Sequence, residues 1–187
     1  IFSNGKFVIK KLFIIFAMPL DYKGIFHKIL IKQLRKTFDM KTGKNSKFII
    51  VGGVAGGATA AARIRRNTEQ AEIILFEKGE HISYANCGLP YYLGNVIEER
   101  ERLFVQTPES FGKRFNIDVR VKSEVIDIDT IAKQVHIRTS DGREYTESYD
   151  KLLLSPGASP VRPPLPGIDN EGIFTLRNVA DTDRIKS

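Results

Sequence analysis

Apolar positions along this chain follow three rhythms, and each predicts a different kind of element. Continuous apolar runs at Lys47–Val51, Ala71–Phe76 and Lys151–Leu154 predict short strands buried on both faces, as in a parallel sheet. The Ala-rich stretch from Gly56 to Asn67 between the first two predicts a helix. Alternation at Asp118–Val121, Val125–Asp129 and Gln134–Arg138 predicts half-exposed strands, and Asp141-Gly142 turns the chain into a further strand over Glu144–Tyr149. Those alternating segments together predict a small antiparallel layer.

Weaker signals fill the gaps. A helix is predicted from about Ala85 toward Val96, interrupted by Pro90, with Ser83 and Asn86 available as caps or as hydrogen-bonding groups for a ligand. Thr107 and Pro108 open a short helix, Pro160, Pro163, Pro164 and Pro166 mark an extended linker, and Ile173–Leu176 reads as a last short strand. Asn178 with Asp181 predicts a closing helix start. The whole is an α/β pattern: a parallel sheet with helices, plus a small antiparallel β layer.

Charge changes the picture only for the N-terminus. Residues 1–46 carry ten of the 29 Lys and Arg but only two of the 22 Asp and Glu, so the net charge of +7 is local to them. The rest is near neutral, and no recognition motif accompanies the charge, which argues against a nucleic-acid partner. The apolar stretch Leu12–Leu20 is too short to span a bilayer, and residues 22–38 have the spacing of a basic amphipathic helix. Met40 opens a polar leader directly before the first strand, so residues 1–46 are expected to lie outside the fold. No membrane association is expected. One cysteine in 187 residues rules out an internal disulfide and fits a reducing cytoplasm.

The chemistry gathers in two places. Gly52-Gly53-Val54-Ala55-Gly56-Gly57 follows the first strand and leads into the Ala-rich helix, and Glu77 closes the second strand. Glycines there let the backbone turn tightly beside a pyrophosphate, the helix N-terminus offers N–H groups to it, and the acid accepts hydrogen bonds from a ribose. Read as G-x-G-x-x-G the turn has valine at its middle glycine position, with Gly53 and Gly56 beside it to allow close approach. Ten residues beyond Glu77 stands Cys87, in Ser83-Tyr84-Ala85-Asn86-Cys87-Gly88-Leu89-Pro90-Tyr91-Tyr92. A thiol at a helix start is favoured as thiolate, whereas a small buried cysteine in a core is inert, and this segment alone leaves both readings open. Lacking a partner cysteine, a redox role would run through a sulfenic acid, a persulfide or a mixed disulfide.

Taken together, V-G-G-V-A-G-G, the terminal Glu77 and S-Y-A-N-C-G-L-P-Y-Y resemble the single-cysteine branch of the FAD-dependent pyridine nucleotide-disulfide oxidoreductases, and within it the coenzyme A-disulfide reductase group, including its rhodanese-fused form. That group also has valine at the middle glycine position. The resemblance runs from about Lys47 to the end and implies a Rossmann-like FAD-binding domain over 47–177, with 178–187 the start of an NAD(P)-binding domain that the chain does not contain, as in an N-terminal fragment. It implies FAD held by Gly52, Gly53, Val54, Ala55, Gly56, Gly57, Glu77 and Lys78, and by a second motif at Ser155 and Gly157. It further implies NAD(P)H as co-substrate, catalytic Cys87, and coenzyme A disulfide or persulfide bound by Thr59, Arg63, Arg66, Ser83 and Asn86. A cytoplasmic homodimer when full length, with no metal, completes what it implies. NADH oxidase or peroxidase activity on the same scaffold, and a non-catalytic nucleotide-binding module, stand as the alternatives.

Overall fold

A computed structural model describes residues 46–187; the expectations for residues 1–45 lie outside them. Four parallel strands form the central sheet: β1 (Lys47–Val51), β2 (Glu72–Phe76), β3 (Asp118–Arg120) and β7 (Lys151–Leu154), in the spatial order β3-β2-β1-β7. Three strands make a second, antiparallel sheet in the order β4-β5-β6, with β4 Ser123–Asp129, β5 Gln134–Thr139 and β6 Glu144–Ser148. Four helices accompany them: α1 (Gly56–Asn67), α2 (Leu89–Leu93), α3 (Pro108–Phe115) and α4 (Val179–Lys186).

The inner strands are apolar at nearly every position because both faces are covered. Ile50, Ile73 and Leu75 face α1 and α3, packing with Ala58, Ala61, Ala62, Ile64 and Phe111. Small residues on the buried stripe of α1 let that helix lie close to the sheet. Ile49, Ile74 and Phe76 face the other way, onto Val135 and Ile137 of the antiparallel sheet. Burial of this kind stabilises by roughly 25 cal/mol per Å² of apolar surface, which makes the two layers cohere.

Charges pin the antiparallel layer down. Glu147 on β6 accepts from Lys47 of β1 at 2.7 Å and from Arg120 of β3 at 2.7 Å, while Lys47 also reaches Glu72 at 2.9 Å. Arg120 lies over both Phe76 and Tyr145. Burial works against the Glu147 carboxylate, but its hydrogen bonds to Lys47 and Arg120 hold its pKa below the usual range.

Several elements differ from expectation. Asp118–Arg120 joins the parallel sheet beside β2 and not the antiparallel layer, with Leu75 opposite Val119. The helix expected over 85–96 is a single 3₁₀ turn at Asn86–Gly88 followed by the five residues of α2, which Gly94 ends. Neither Ser83 nor Asn86 caps it, since neither turn has a side-chain cap. Ile173–Leu176 is not a strand; Leu176 packs beside Leu89, Leu103 and Val179 instead. The two expected caps do form: Thr107 with Ser110 on α3, and Asn178 with Asp181 on α4, each a reciprocal capping box.

Candidate functional site

Parallel pairing places the C-terminal ends of β1, β2 and β7 side by side, so three turns distant in sequence meet at one edge. The first is the glycine turn. Gly52 has φ +95°, its N–H donates to the Phe76 carbonyl at 2.8 Å, and a Cβ there would overlap the carbonyl oxygen of Ser155. A Cβ on Gly57 would overlap the Gly52 carbonyl oxygen in turn. Both positions therefore admit glycine alone. Val54 is half-buried and Ala55 and Gly56 are exposed, so the middle of the turn opens to solvent. Ala55 stands at the N-cap of α1 with no side chain capping it, which leaves the first N–H groups of α1 free of a local side-chain acceptor.

The second turn carries Glu77. One carboxylate oxygen accepts from the Gly53 N–H at 2.8 Å and the other from the Gly79 N–H at 2.9 Å. These bonds aim the half-buried acid at the glycine turn, and each oxygen keeps lone-pair capacity for a further donor. Lys78 beside it is exposed. The third turn follows β7. Ser155 donates its N–H to Val51 at 2.7 Å, and its side chain lies where a Cβ on Gly56 would fall. Gly157, at φ +76°, has Arg177 packed on it, and the Arg177 Nε donates to the Ala158 carbonyl at 2.6 Å. The structure thus brings Gly52–Gly57, Glu77 and Ser155 together, with Gly157 further along the third turn beside Arg177.

The cysteine segment is tied to this edge by its first residue. Ser83 adopts φ +48° and donates its N–H to the Gly53 carbonyl at 3.0 Å, while its own carbonyl accepts from Val105 at 2.9 Å. Tyr84 pairs with Phe104, and Ala85 donates to the Leu103 carbonyl at 2.8 Å. Burial raises the Tyr84 phenol above its ordinary pKa. Cys87 is free and exposed, which excludes the inert buried cysteine. Beside it the side-chain oxygen of Asn86 is buried and accepts no hydrogen bond, alone in this among the described residues. A buried acceptor without a donor is costly, and a ligand N–H or O–H would satisfy it.

Thr59, Arg63 and Arg66 are all exposed and recur at helical spacing on the outer side of α1. Arg66 lines a cavity of about 600 Å³ at the far end of that helix, with Arg65, Arg114, Phe115 and Asn116. Arg66 and Arg114 both approach the Phe115 ring, at 6.0 and 5.3 Å. Arg65 anchors the cavity by donating to the Phe115 and Asn116 carbonyls at 2.8 and 2.6 Å. Arg114, Phe115 and Arg177 carry no local sequence signal, because each reaches the site only through tertiary packing.

A strand–glycine turn–helix–strand–acid unit with an exposed thiol segment hydrogen-bonded to it is a nucleotide-binding redox scaffold. The chain belongs to the pyridine nucleotide-disulphide oxidoreductase family, whose model matches residues 46–187. It is 46% identical over 140 residues to a coenzyme A disulfide reductase of Staphylococcus aureus, covering 74% of this chain and 31% of that protein. Among solved structures, reduced Bacillus anthracis CoADR-RHD is 56% identical with a TM-score of 0.74, over 76% of this chain and 26% of that one. An NAD-dependent persulfide reductase from A. fulgidus is 36% identical with a TM-score of 0.70, over 74% and 26%. The chain thus spans about a third of the curated relative's length. Among the described residues, no helix is long and apolar enough to cross a membrane.

Proposed function

We propose that this chain is the thiol-bearing, FAD-binding part of an NAD(P)H-dependent enzyme that reduces coenzyme A disulfide or coenzyme A persulfide through Cys87. The observation that carries the proposal is the hydrogen bond from Ser83 to Gly53, which ties the segment bearing an exposed lone thiol to the phosphate-type turn. The residues fit a dinucleotide. The turn is closed to any side chain at Gly52 and Gly57, the α1 N-terminus has no side-chain cap, and Glu77 is held at the strand end with acceptor capacity to spare. Residues 47–177 would form that domain, residues 178–187 would lead into a nicotinamide-binding one, and residues 1–46 would lie outside both.

When bound, the flavin supplies electrons passed on from NAD(P)H. The chain's own residues do the rest. The N–H groups opening α1 neutralise phosphate charge, and Glu77 accepts from ribose hydroxyls. Cys87 as thiolate attacks one sulfur of the disulfide, forms a mixed disulfide with one coenzyme A and releases the other as thiolate, which takes up a proton. Two electrons and a further proton would then return Cys87 to the thiolate and free the second coenzyme A as thiol. Asn86 offers its unpartnered oxygen to a donor on the substrate next to that sulfur. Arg63 and Arg66, with the cavity that Arg66 and Arg114 border, suit the phosphate-bearing end of the same molecule.

The full-length protein, as a homodimer in the cytoplasm on this reading, is assayed for NADH and NADPH oxidation with four acceptors in parallel: coenzyme A disulfide, coenzyme A persulfide, oxygen and peroxide. Turnover with either coenzyme A substrate, abolished in Cys87→Ser, is the expected result; turnover with oxygen or peroxide alone moves the assignment to an oxidase or peroxidase. Combining Arg66→Ala with Arg114→Ala is expected to raise KM for the coenzyme A substrate about tenfold with kcat within about twofold, the loss of charge-assisted hydrogen bonds to phosphate.

A further inference from the structure

We propose that Arg100 and Asp183 are positioning residues for Cys87: their ion pair fastens α4 to the turn that holds the thiol in place. The proposal rests on reading Cys87 as the redox thiol. Arg100 opens a 3₁₀ turn, Arg100–Leu103, and grips Asp183 with a fork, Nε to Oδ1 at 2.8 Å and Nη2 to Oδ2 at 2.7 Å. At the other end of that turn Leu103 is fully buried. Its carbonyl accepts the N–H of Ala85, two residues before Cys87, and its side chain would stand 3.2 Å from a Cβ on Gly88, the residue after Cys87. Leu103 therefore cannot shift without disturbing both flanks of the thiol.

The same helix grips the segment from behind. Val179 of α4 packs in one cluster with Leu89 and Leu103. Lys186, one helix-length on, donates to the Tyr92 carbonyl at 3.0 Å with its ammonium 3.8 Å from the centre of the Tyr92 ring. Half-exposed ion pairs are ordinarily worth little, because solvent screens them. This one differs in geometry. The fork fixes orientation as well as distance, it joins residues 83 apart, and the guanidinium is flanked by the Phe104 ring at 5.3 Å and by His81 Nε2 at 3.4 Å. The pair's role is thus to set where the Cys87 turn lies and not how much the fold is stabilised.

The test uses the full-length flavoprotein with Arg100→Leu, Asp183→Leu, the exchanged pair Arg100→Asp with Asp183→Arg, and Arg100→Lys, which keeps the charge and loses the fork. Each single Leu variant is expected to lower kcat about tenfold while KM stays within about twofold, because a small misplacement of a reacting group acts on the chemical step. The exchanged pair should recover most of that loss, and Arg100→Lys should fall between. Alkylation of Cys87 by iodoacetamide should keep its wild-type rate in every variant, since the thiol is already exposed. Wild-type kcat in Arg100→Lys and in both Leu variants, or a loss the exchange does not repair, or a rise in KM in place of the fall in kcat, would overturn the proposal. Turnover retained by Cys87→Ser would remove instead the reading on which it rests.

Discussion

The glycine turn and the cysteine segment adjoin each other through one hydrogen bond, yet they are held by opposite means. The turn is closed on itself: Gly52, Gly57 and Ser155 leave no room for side chains, and most of its contacts come from the ends of neighbouring parallel strands. The cysteine segment has almost no structure of its own, only a 3₁₀ turn and a five-residue helix. Its order is borrowed from Leu103, Phe104 and α4, which arrive from later in the chain. A glycine turn built by local geometry sits beside an exposed thiol positioned by tertiary contacts. On the proposed reading, binding and chemistry are therefore expected to separate on mutation.

The largest expected effect tests the turn. Gly57→Ala places a methyl group against the Gly52 backbone carbonyl, which has no rotamer to yield, and is expected to destabilise the chain by about 3 kcal/mol and to abolish flavin retention. Denaturant melts and flavin fluorescence after desalting measure both. If the variant keeps its flavin and its midpoint, the turn is not over-determined and the contrast fails.

A more local effect of comparable size is expected from Leu103→Ala, about 2–4 kcal/mol from the lost side chain and the space it leaves, without loss of the glycine turn. Hydrogen exchange should accelerate at 84–105 and in α4 while the β1 and β2 amides keep their protection. Uniform acceleration through the sheet would show that the two regions unfold as one unit.

The smallest effect is electrostatic. Burial lowers the His81 pKa, and Arg100 lowers it further, against the opposing pull of Glu80 and Asp183; Lys122 adds to the lowering. The folded state then binds fewer protons than the unfolded chain below about pH 6.5. Stability is accordingly expected to be full above that pH and to decline as pH falls through it. Asp183, whose carboxyl is held low by the hydrogen bond from Arg100, adds its own loss only as pH falls below about 4. Urea midpoints of wild type and His81→Gln between pH 7.5 and 5 check the sign: the variant should have the flatter profile.

What could be read from sequence follows the same divide. β1 and α1 match expectation to the residue, because continuous apolar runs and a glycine turn are local signals. Glu77 and Ser155 converge where a parallel sheet must bring its strand ends. The misassigned elements lie where neighbours decide. Asp118–Arg120 has the alternation of an edge strand but pairs with β2, whose open edge it completes. The expected helix over 85–96 breaks because Gly88 and Leu89 turn inward onto Leu103, and Gly94 ends what remains. Ile173–Leu176 has strand composition and no strand beside it, so Leu176 is half-buried against the cluster that contains Val179 of α4 while Ile173 and Phe174 stay exposed. No periodicity encodes Arg100 with Asp183 or Arg66 with Arg114, since those pairs exist only once the helices have docked.

Glu147 bears on how such a protein can change over generations. One carboxylate, mostly shielded from solvent, serves Lys47 of β1 and Arg120 of β3, strands far apart in the sequence and separated in the sheet by β2. Removing the acid alone would leave two half-buried cations facing each other, and removing either cation would leave the acid with half its compensation. Positions 47, 120 and 147 are thereby bound into one inherited unit, and a lineage that alters one of them is under pressure to alter the others in step.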